Sequence, residues 1–337
     1  MKRLYILLLV TFLLLATSCE HFLFALSTLN NPTQSEAYVF PLANRGYLAV
    51  ASYVLEHAKE SIHAVLMYIT DPSSSRSVKM LCDALVRAKE RGLDVRVILE
   101  GEGYWREKSQ AAFDYLRLKG INVIWDSGNF IHAKMFIVDG QTVVLGSTNW
   151  SEYALTRNNE VSILINDTAV ANYYEEYFEL LWNNVVYPEL EPLDINNVTC
   201  LCNKNIYDAI LGALSSATKR IHVIMYEMAN EGVVKNLLSE LVRATQKGVD
   251  VKIMLENKNC AQVYEYLRDR GVQAKLDADL LTHAKLVICD DIVFVGDTNW
   301  ESNYFLYTNT VGVLVAYKSL ADYLDRYFQQ IWESSYS

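Results

Sequence analysis

Positive charge is scarce in this chain: Lys and Arg total 30 against 40 Asp and Glu, a formal net charge of −10 over 337 residues. Nucleic-acid affinity rests on many cationic contacts to phosphate. A broad cationic footprint is therefore excluded, although a local basic groove is not. A comfortable membrane span is also missing, because the longest apolar run, Leu4 to Ala16, falls short of the roughly 20 residues a bilayer needs. The six cysteines form no framework. Cys200 and Cys202 are one residue apart, which suits neither a mutual disulfide nor a zinc knuckle. Cys82, Cys260 and Cys289 lie in apolar stretches and read as core thiols; a disulfide from the Cys200/Cys202 pair to another cysteine stays open. His21 and His57 have no partners at ligand spacing, so no zinc site is expected. The composition of a disordered chain is absent too. With 51% hydrophobic and 21% charged residues, the chain can bury a large core, and its length suggests about two domains.

What is present begins at the N-terminus. Lys2 and Arg3 precede the apolar run, and Thr17, Ser18 and Cys19 follow it. A short basic region, an apolar stretch and small residues make an export signal. Residues 1–19 are expected to be a cleaved signal, a lipoprotein leader acylated at Cys19, or, extended through Phe22 to Leu26, an uncleaved anchor. The chain would then be exported, either secreted or held on the outer face of a membrane.

The chain repeats itself, and repeats fix architecture before any local signal does. Residues 84–100, ALVRAKERGLDVRVILE, return at 240–256 as ELVRATQKGVDVKIMLE. Each reads as an amphipathic helix, a glycine stop at Gly92 or Gly248, and a buried strand. Residues 114–120 return at 265–271, Tyr177-Phe178 with Trp182 return as Tyr327-Phe328 with Trp332, and Ile62-His63 returns as Ile221-His222. The copies span about 38–185 and 196–335. The segment 186–195, rich in acids and prolines, reads as a linker. Alternating helix and strand signals predict an α/β fold with largely parallel or mixed sheets. Duplication predicts a pseudo-twofold pair packed through equivalent faces within one monomer.

One constellation persists while the residues around it change. The first copy reads His132-Ala-Lys134-Met-Phe-Ile-Val-Asp139, then Gly146-Ser147-Thr148-Asn149-Trp150. The second reads His283-Ala-Lys285-Leu-Val-Ile-Cys-Asp290, then Gly296-Asp297-Thr298-Asn299-Trp300. Residues two apart on a strand share a face, so each His and its Lys point the same way. A phosphodiester is anionic, and attack on it needs cationic donors around its non-bridging oxygens. Two Lys and two Asn can supply them. One imidazole can attack phosphorus while a second protonates the leaving alkoxide. Any one of these residues alone is ordinary, since a strand His is commonly structural and an Asn in a glycine turn commonly serves backbone geometry. The joint recurrence is what carries chemistry. His63 and His222 recur without Lys or Asp at the right offsets and read as structural.

At these residues the sequence resembles the phospholipase D superfamily, over nearly all the chain after the leader. The resemblance implies two tandem α-β-α sandwich repeats with one active site between them. It implies a phosphohistidine intermediate, no metal and no cofactor. It makes His132 and His283 the nucleophile and general acid. Lys134, Lys285, Asn149 and Asn299 would hold phosphate, with Ser147 helping. Asp139 and Asp290 would complete the catalytic motif, more as structural and electrostatic groups than as reactants. Glu160, downstream of the first motif, resembles an acid that orients the family's histidine, which suggests His132 as nucleophile with Glu160 behind it and His283 as acid.

The second copy departs from this pattern. Asp297 stands where Ser or Gly is usual, and Thr310 where the Glu would be. A carboxylate near a bound phosphate is expected to repel it, so Asp297→Ser is expected to raise activity. Three functions compete. The first is a phosphodiesterase acting on phospholipid head groups at a membrane surface, with phosphatidyl transfer as a variant. The second is an exported nuclease, less favoured by the acidic charge. The third is a degenerate, inactive phosphate-binding module.

Overall fold

The computed structural model describes residues 37–256, 260–277 and 280–335. The leader reading, with Cys19 and His21, lies outside them. Among the described residues no helix is long and apolar enough to cross a membrane, and no group of three or more His, Cys, Asp or Glu side chains is placed to hold a metal ion.

The first repeat contains β1 (Tyr38–Ala43), α1 (Gly46–Glu56), β2 (Ser61–Leu66), α2 (Arg76–Glu90), β3 (Asp94–Leu99), α3 (Gly103–Leu118) and β4 (Asn122–Trp125). It continues with β5 (Lys134–Val138), β6 (Thr142–Gly146), α4 (Glu152–Thr156), β7 (Val161–Asn166) and α5 (Thr168–Trp182). Its seven strands run in the order β1-β7-β6-β5-β2-β3-β4. The second repeat comprises β8 (Leu193–Ile195), β9 (Val198–Cys202), α6 (Asn205–Ser216), β10 (Arg220–Met225), α7 (Val234–Gln246), β11 (Asp250–Glu256) and α8 (Ala261–Arg268). It ends with β12 (Gln273–Asp277), β13 (Lys285–Cys289), β14 (Ile292–Gly296), α9 (Ser302–Leu306), β15 (Val311–Val315) and α10 (Lys318–Ser334). Its eight strands run β12-β11-β10-β13-β14-β15-β9-β8. In both, the helix-linked strands pair in parallel and the motif strand turns antiparallel against them. The sheets are mixed, and the expected α/β repeat architecture is present.

One boundary moves. Leu193–Ile195, expected within the linker, forms the edge strand of the second sheet, with Leu193 opposite Cys200. Linker carbonyls are also pinned to that repeat, since Asn203 and Asn205 amides donate to Pro188 O and Leu190 O at 2.7 Å each. The second repeat thus starts before residue 196. The cysteine question closes as well: Cys82, Cys200, Cys202, Cys260 and Cys289 are all free, buried thiols.

Every residue of β5 and β13 is buried. That explains their continuous apolar runs, because a strand covered on both faces has no reason to alternate. One face of each sheet meets its own helices. The other joins a core shared by both repeats, in which Met135, Ile137, Leu145 and Ile163 of the first cluster with Leu286, Ile288, Val295 and Val313 of the second. The motif strands run along this shared core, so their histidine ends meet at the seam.

Candidate active site

The seam is stitched by main chain before any side chain is considered. His132 N and Ala133 N donate to Asn309 O at 2.9 and 3.1 Å, and His283 N and Ala284 N donate to Asn159 O at 2.9 and 3.0 Å. Each histidine is therefore held by the other repeat. The asparagines that do this immediately precede Glu160 and Thr310, a pairing that aligned copies contain but that only a three-dimensional seam reveals.

The side chains cross over in the same way. His283 Nδ1 lies 3.0 Å from Glu160 Oε2. The carboxylate also accepts from Ser147 Oγ at 2.5 Å and Asn158 Nδ2 at 3.3 Å. His132 Nδ1 lies 3.7 Å from Asp297 Oδ1. The expectation that Glu160 backs His132 is corrected: Glu160 belongs to His283, and the carboxylate facing His132 is Asp297. Ser147 is corrected with it. Its hydroxyl donates to Glu160 and accepts from Val161 N at 3.0 Å, beneath the site, so it braces the acid rather than reaching for phosphate.

Lys134 and Lys285 turn back over their histidines, donating to His132 O at 2.5 Å and His283 O at 2.7 Å. Lys134 Nζ is also 3.4 Å from Met67 Sδ, and Lys285 Nζ is 4.9 Å from the Tyr226 ring centre. Both lysines are almost wholly enclosed, at 2% and 0% exposure. Burial, with a smaller contribution from the other lysine, holds Lys134 well below the usual ammonium range; burial brings Lys285 down to about 8. Burial also lowers both imidazoles, His132 well below its ordinary value and His283 to about 4. Asp297 is pushed up to about 7 by burial, against the pull of Lys134. Burial thus disfavours charge on both lysines and both imidazoles, and an anion seated between the lysines offsets what burial costs them.

The two asparagines differ at the amide nitrogen. Both Oδ1 atoms are buried without a hydrogen bond, but Asn299 Nδ2 donates to Glu227 Oε2 at 2.7 Å. Glu227 and its counterpart Tyr68 follow the equivalent strands β10 and β2, where no motif drew attention to them. Tyr304 meets the His132 ring edge-on at 4.8 Å, and Tyr226 meets His283 at 4.7 Å. Gly146, at φ +148°, lets β6 run into the site, since a Cβ there would sit 2.4 Å from Ser162 Cα.

Asp139 and Asp290 are corrected as catalytic groups. Each lies at the far end of its motif strand at φ +55° or +52°. Asp139 accepts from the backbone N–H of Lys59, Glu60 and Ser61, and Asp290 from Thr218, Lys219 and Arg220. They cap the turns that enter β2 and β10. His63 and His222 are structural as expected: each bridges two carboxylates, Glu175 with Asp94 and Asp325 with Asp250, and stacks on Phe178 or Phe328.

The chain is similar in sequence and in fold to known proteins. A family described as "Cardiolipin synthase, PLD-like domain" matches residues 53–182 and 210–332. A probable phospholipase D of Caenorhabditis elegans is 20% identical over 84% of this chain, which spans 65% of that protein. The virion nicking-joining enzyme of Vaccinia virus (strain Copenhagen) is 23% identical over 80% of this chain and 78% of its own length. In fold, the phosphatidylserine synthase of Haemophilus influenzae Rd KW20 superposes with a TM-score of 0.69 at 13% identity, over 90% of this chain and 88% of that one.

Proposed function

Because the chain belongs to the phospholipase D superfamily, we propose that its seam is the active site of a phosphodiesterase working through a phosphohistidine, and that its substrates are phospholipid head-group esters. The carrying observation is the pair of buried His–Lys units, each His backed by a carboxylate of the opposite repeat. Glu160 engages His283 Nδ1 and leaves Nε2 free. A carboxylate so placed fixes the tautomer and stabilises the cationic ring that forms on attack. His283 is therefore the nucleophile. Its Nε2 bonds to phosphorus as the bond from phosphorus to the leaving oxygen breaks, and His132, held as the imidazolium by the bound anion and Asp297, gives that oxygen its proton. A water then gives a proton back to His132 and attacks phosphorus, breaking the P–N bond. Lys134 and Lys285 hold the non-bridging oxygens, with the amide of Asn149 beside them.

Apolar side chains left in solvent favour a lipid substrate. Leu280 and Leu281 are 47% and 37% exposed just before Thr282-His283, and Leu306 and Tyr307 are 37% and 64% exposed just before the segment that carries Asn309. Such side chains on site-bearing loops suit contact with a bilayer interface. The basic-then-apolar leader adds the proposal of export, with Cys19 acylated or residues 1–19 retained as an anchor. Recovery of a cytoplasmic protein with Met1 intact and no acylation would contradict that part.

A second reading, single-stranded nucleic acid, has one observation of its own. Tyr68 stacks on Trp105 at 5.0 Å, Tyr104 meets Trp105 edge-on, and Lys108 Nζ lies 4.3 Å from the Tyr68 ring centre. Aromatic faces with a cation are what bases stack on. The test is turnover by the purified full chain, with chelator present, of phosphatidylcholine vesicles, cardiolipin vesicles, single-stranded DNA and bis(p-nitrophenyl) phosphate. Chelator-resistant head-group release from vesicles is expected. Cleavage of DNA alone would replace the lipid reading, and no turnover of any diester would leave the binding module.

A further inference from the structure

We infer that Asp297 is the positioning carboxylate of His132, taking over from the turn a task that in the first repeat falls to Glu160 just before β7. The inference rests on the phosphodiesterase reading above and adds to it a residue that sequence alone marks as a defect.

The backbone shows that the two places are equivalent. Ser147 N donates to Val161 O and Val161 N donates back to Ser147 Oγ; Asp297 N donates to Val311 O and Val311 N donates back to Asp297 Oδ2 at 3.1 Å. Glu160 N donates to Asn44 Oδ1 and Thr310 N to Asn203 Oδ1. Asp297 thus occupies the Ser147 place, and Thr310 the Glu160 place. Between the two repeats the acid has changed partners: Ser plus Glu in one, Asp plus Thr in the other. The two pairs have the same number of non-hydrogen side-chain atoms, so the exchange moves the carboxylate without changing how much the pocket must hold.

Geometry carries the function across. Asp297 is fully enclosed, and Oδ2 is spent on Val311 N as Ser147 Oγ is spent on Val161 N. Oδ1 is left over, 3.7 Å from His132 Nδ1, and neither atom makes a hydrogen bond. Two buried polar atoms facing each other unbonded are costly. Less than 1 Å of closure joins them, and a cationic His132 ring supplies the drive. Thr310 Oγ1 is buried and unbonded as well, so the strand place offers His132 no acid. The charged groups bearing on the Asp297–His132 pair are Lys134 and Lys285, with the His283 ring adding to them at His132. Asp297 faces the Nδ1 edge of His132 and leaves Nε2 to meet substrate, so it steadies the proton His132 must deliver. This reverses the expectation that removing it relieves repulsion.

The experiment is a set of full-length variants: Asp297→Asn, Asp297→Ser, Thr310→Glu, and the double exchange Asp297→Ser/Thr310→Glu. Each is checked for folding by thermal unfolding, then assayed on an alkyl phosphodiester and on bis(p-nitrophenyl) phosphate. Asp297→Asn and Asp297→Ser should each lower kcat on the alkyl ester by on the order of 100-fold, with KM within a few-fold and a much smaller loss on the nitrophenyl ester, whose leaving group needs no proton. The double exchange should recover at least tenfold over Asp297→Ser, which a merely structural role would not produce. Nitrogen-15 histidine spectra provide a readout independent of turnover: the His132 Nδ1 resonance should move in Asp297→Asn and return in the double exchange. Unchanged or higher alkyl-ester kcat in folded Asp297→Ser, or a His132 resonance indifferent to Asp297→Asn, would overturn the inference. A wild-type chain inactive on every diester would refute the phosphodiesterase reading, while the spectra would still decide the pairing.

Discussion

At the scale of single residues, the chemistry sits in groups made uncomfortable by burial and made comfortable by a substrate. His132, Lys134, His283 and Lys285 were legible from the recurring spacing alone, because no packing requirement explains two copies of the same polar pattern inside apolar strands. The histidine partners were not legible. Aligned copies suggest that each acid serves its own repeat, whereas Glu160 reaches His283 across the seam. Glu160→Gln should therefore lower kcat by roughly 10²–10⁴-fold and slow adduct formation, read by stopped-flow release of nitrophenol. The lysines add a pH dependence. Burial brings Lys285 down to about 8. Below that pH it is already charged and takes up no proton when an anion binds. Above it, binding must take up a proton, so affinity for a non-hydrolysable phosphonate should weaken, by up to about tenfold per pH unit. Calorimetric titration from pH 7 to 9.5 checks this, and a flat profile would contradict it.

Secondary-structure elements were largely readable, because helices ended by Gly92, Gly120, Gly248 and Gly271 announce the strands that follow. The role of the motif's aspartate was obscured by the motif itself. His-x-Lys-x4-Asp reads as one catalytic string, yet the five-residue strand β5 begins at Lys134 and ends just before Asp139. At about 3.3 Å per residue that carries Asp139 far from the histidine, into a turn where it satisfies three backbone N–H groups. Asp139→Ala should accordingly cost about 1–3 kcal/mol of stability, seen as a lower denaturation midpoint. Its kcat per folded molecule should stay close to wild type. The short strand β8 was missed for an equally local reason: Leu193–Ile195 follows a run of prolines and acids that signals a linker, and only pairing with β9 makes it a strand.

Across the whole molecule, duplication made the pseudo-twofold pair legible, but not that the repeats share one core and trade main-chain bonds beside their histidines. Separating them would expose the inner faces that carry Met135, Ile137, Leu286 and Ile288. Residues 37–185 or 190–335 expressed alone should therefore aggregate or dimerise, as size-exclusion chromatography would show; a stable monomeric half would contradict a common core. The central claim is a composite site in which one repeat supplies the nucleophile and the other the acid. Its most direct test is to mix the full chain with bis(p-nitrophenyl) phosphate, quench in alkali and locate the adduct by mass spectrometry, in wild type and in His132→Ala. The account predicts a phosphoramidate on His283 that accumulates in His132→Ala, where no base remains to activate water. An adduct on His132, or turnover with no histidine adduct in either protein, would contradict it.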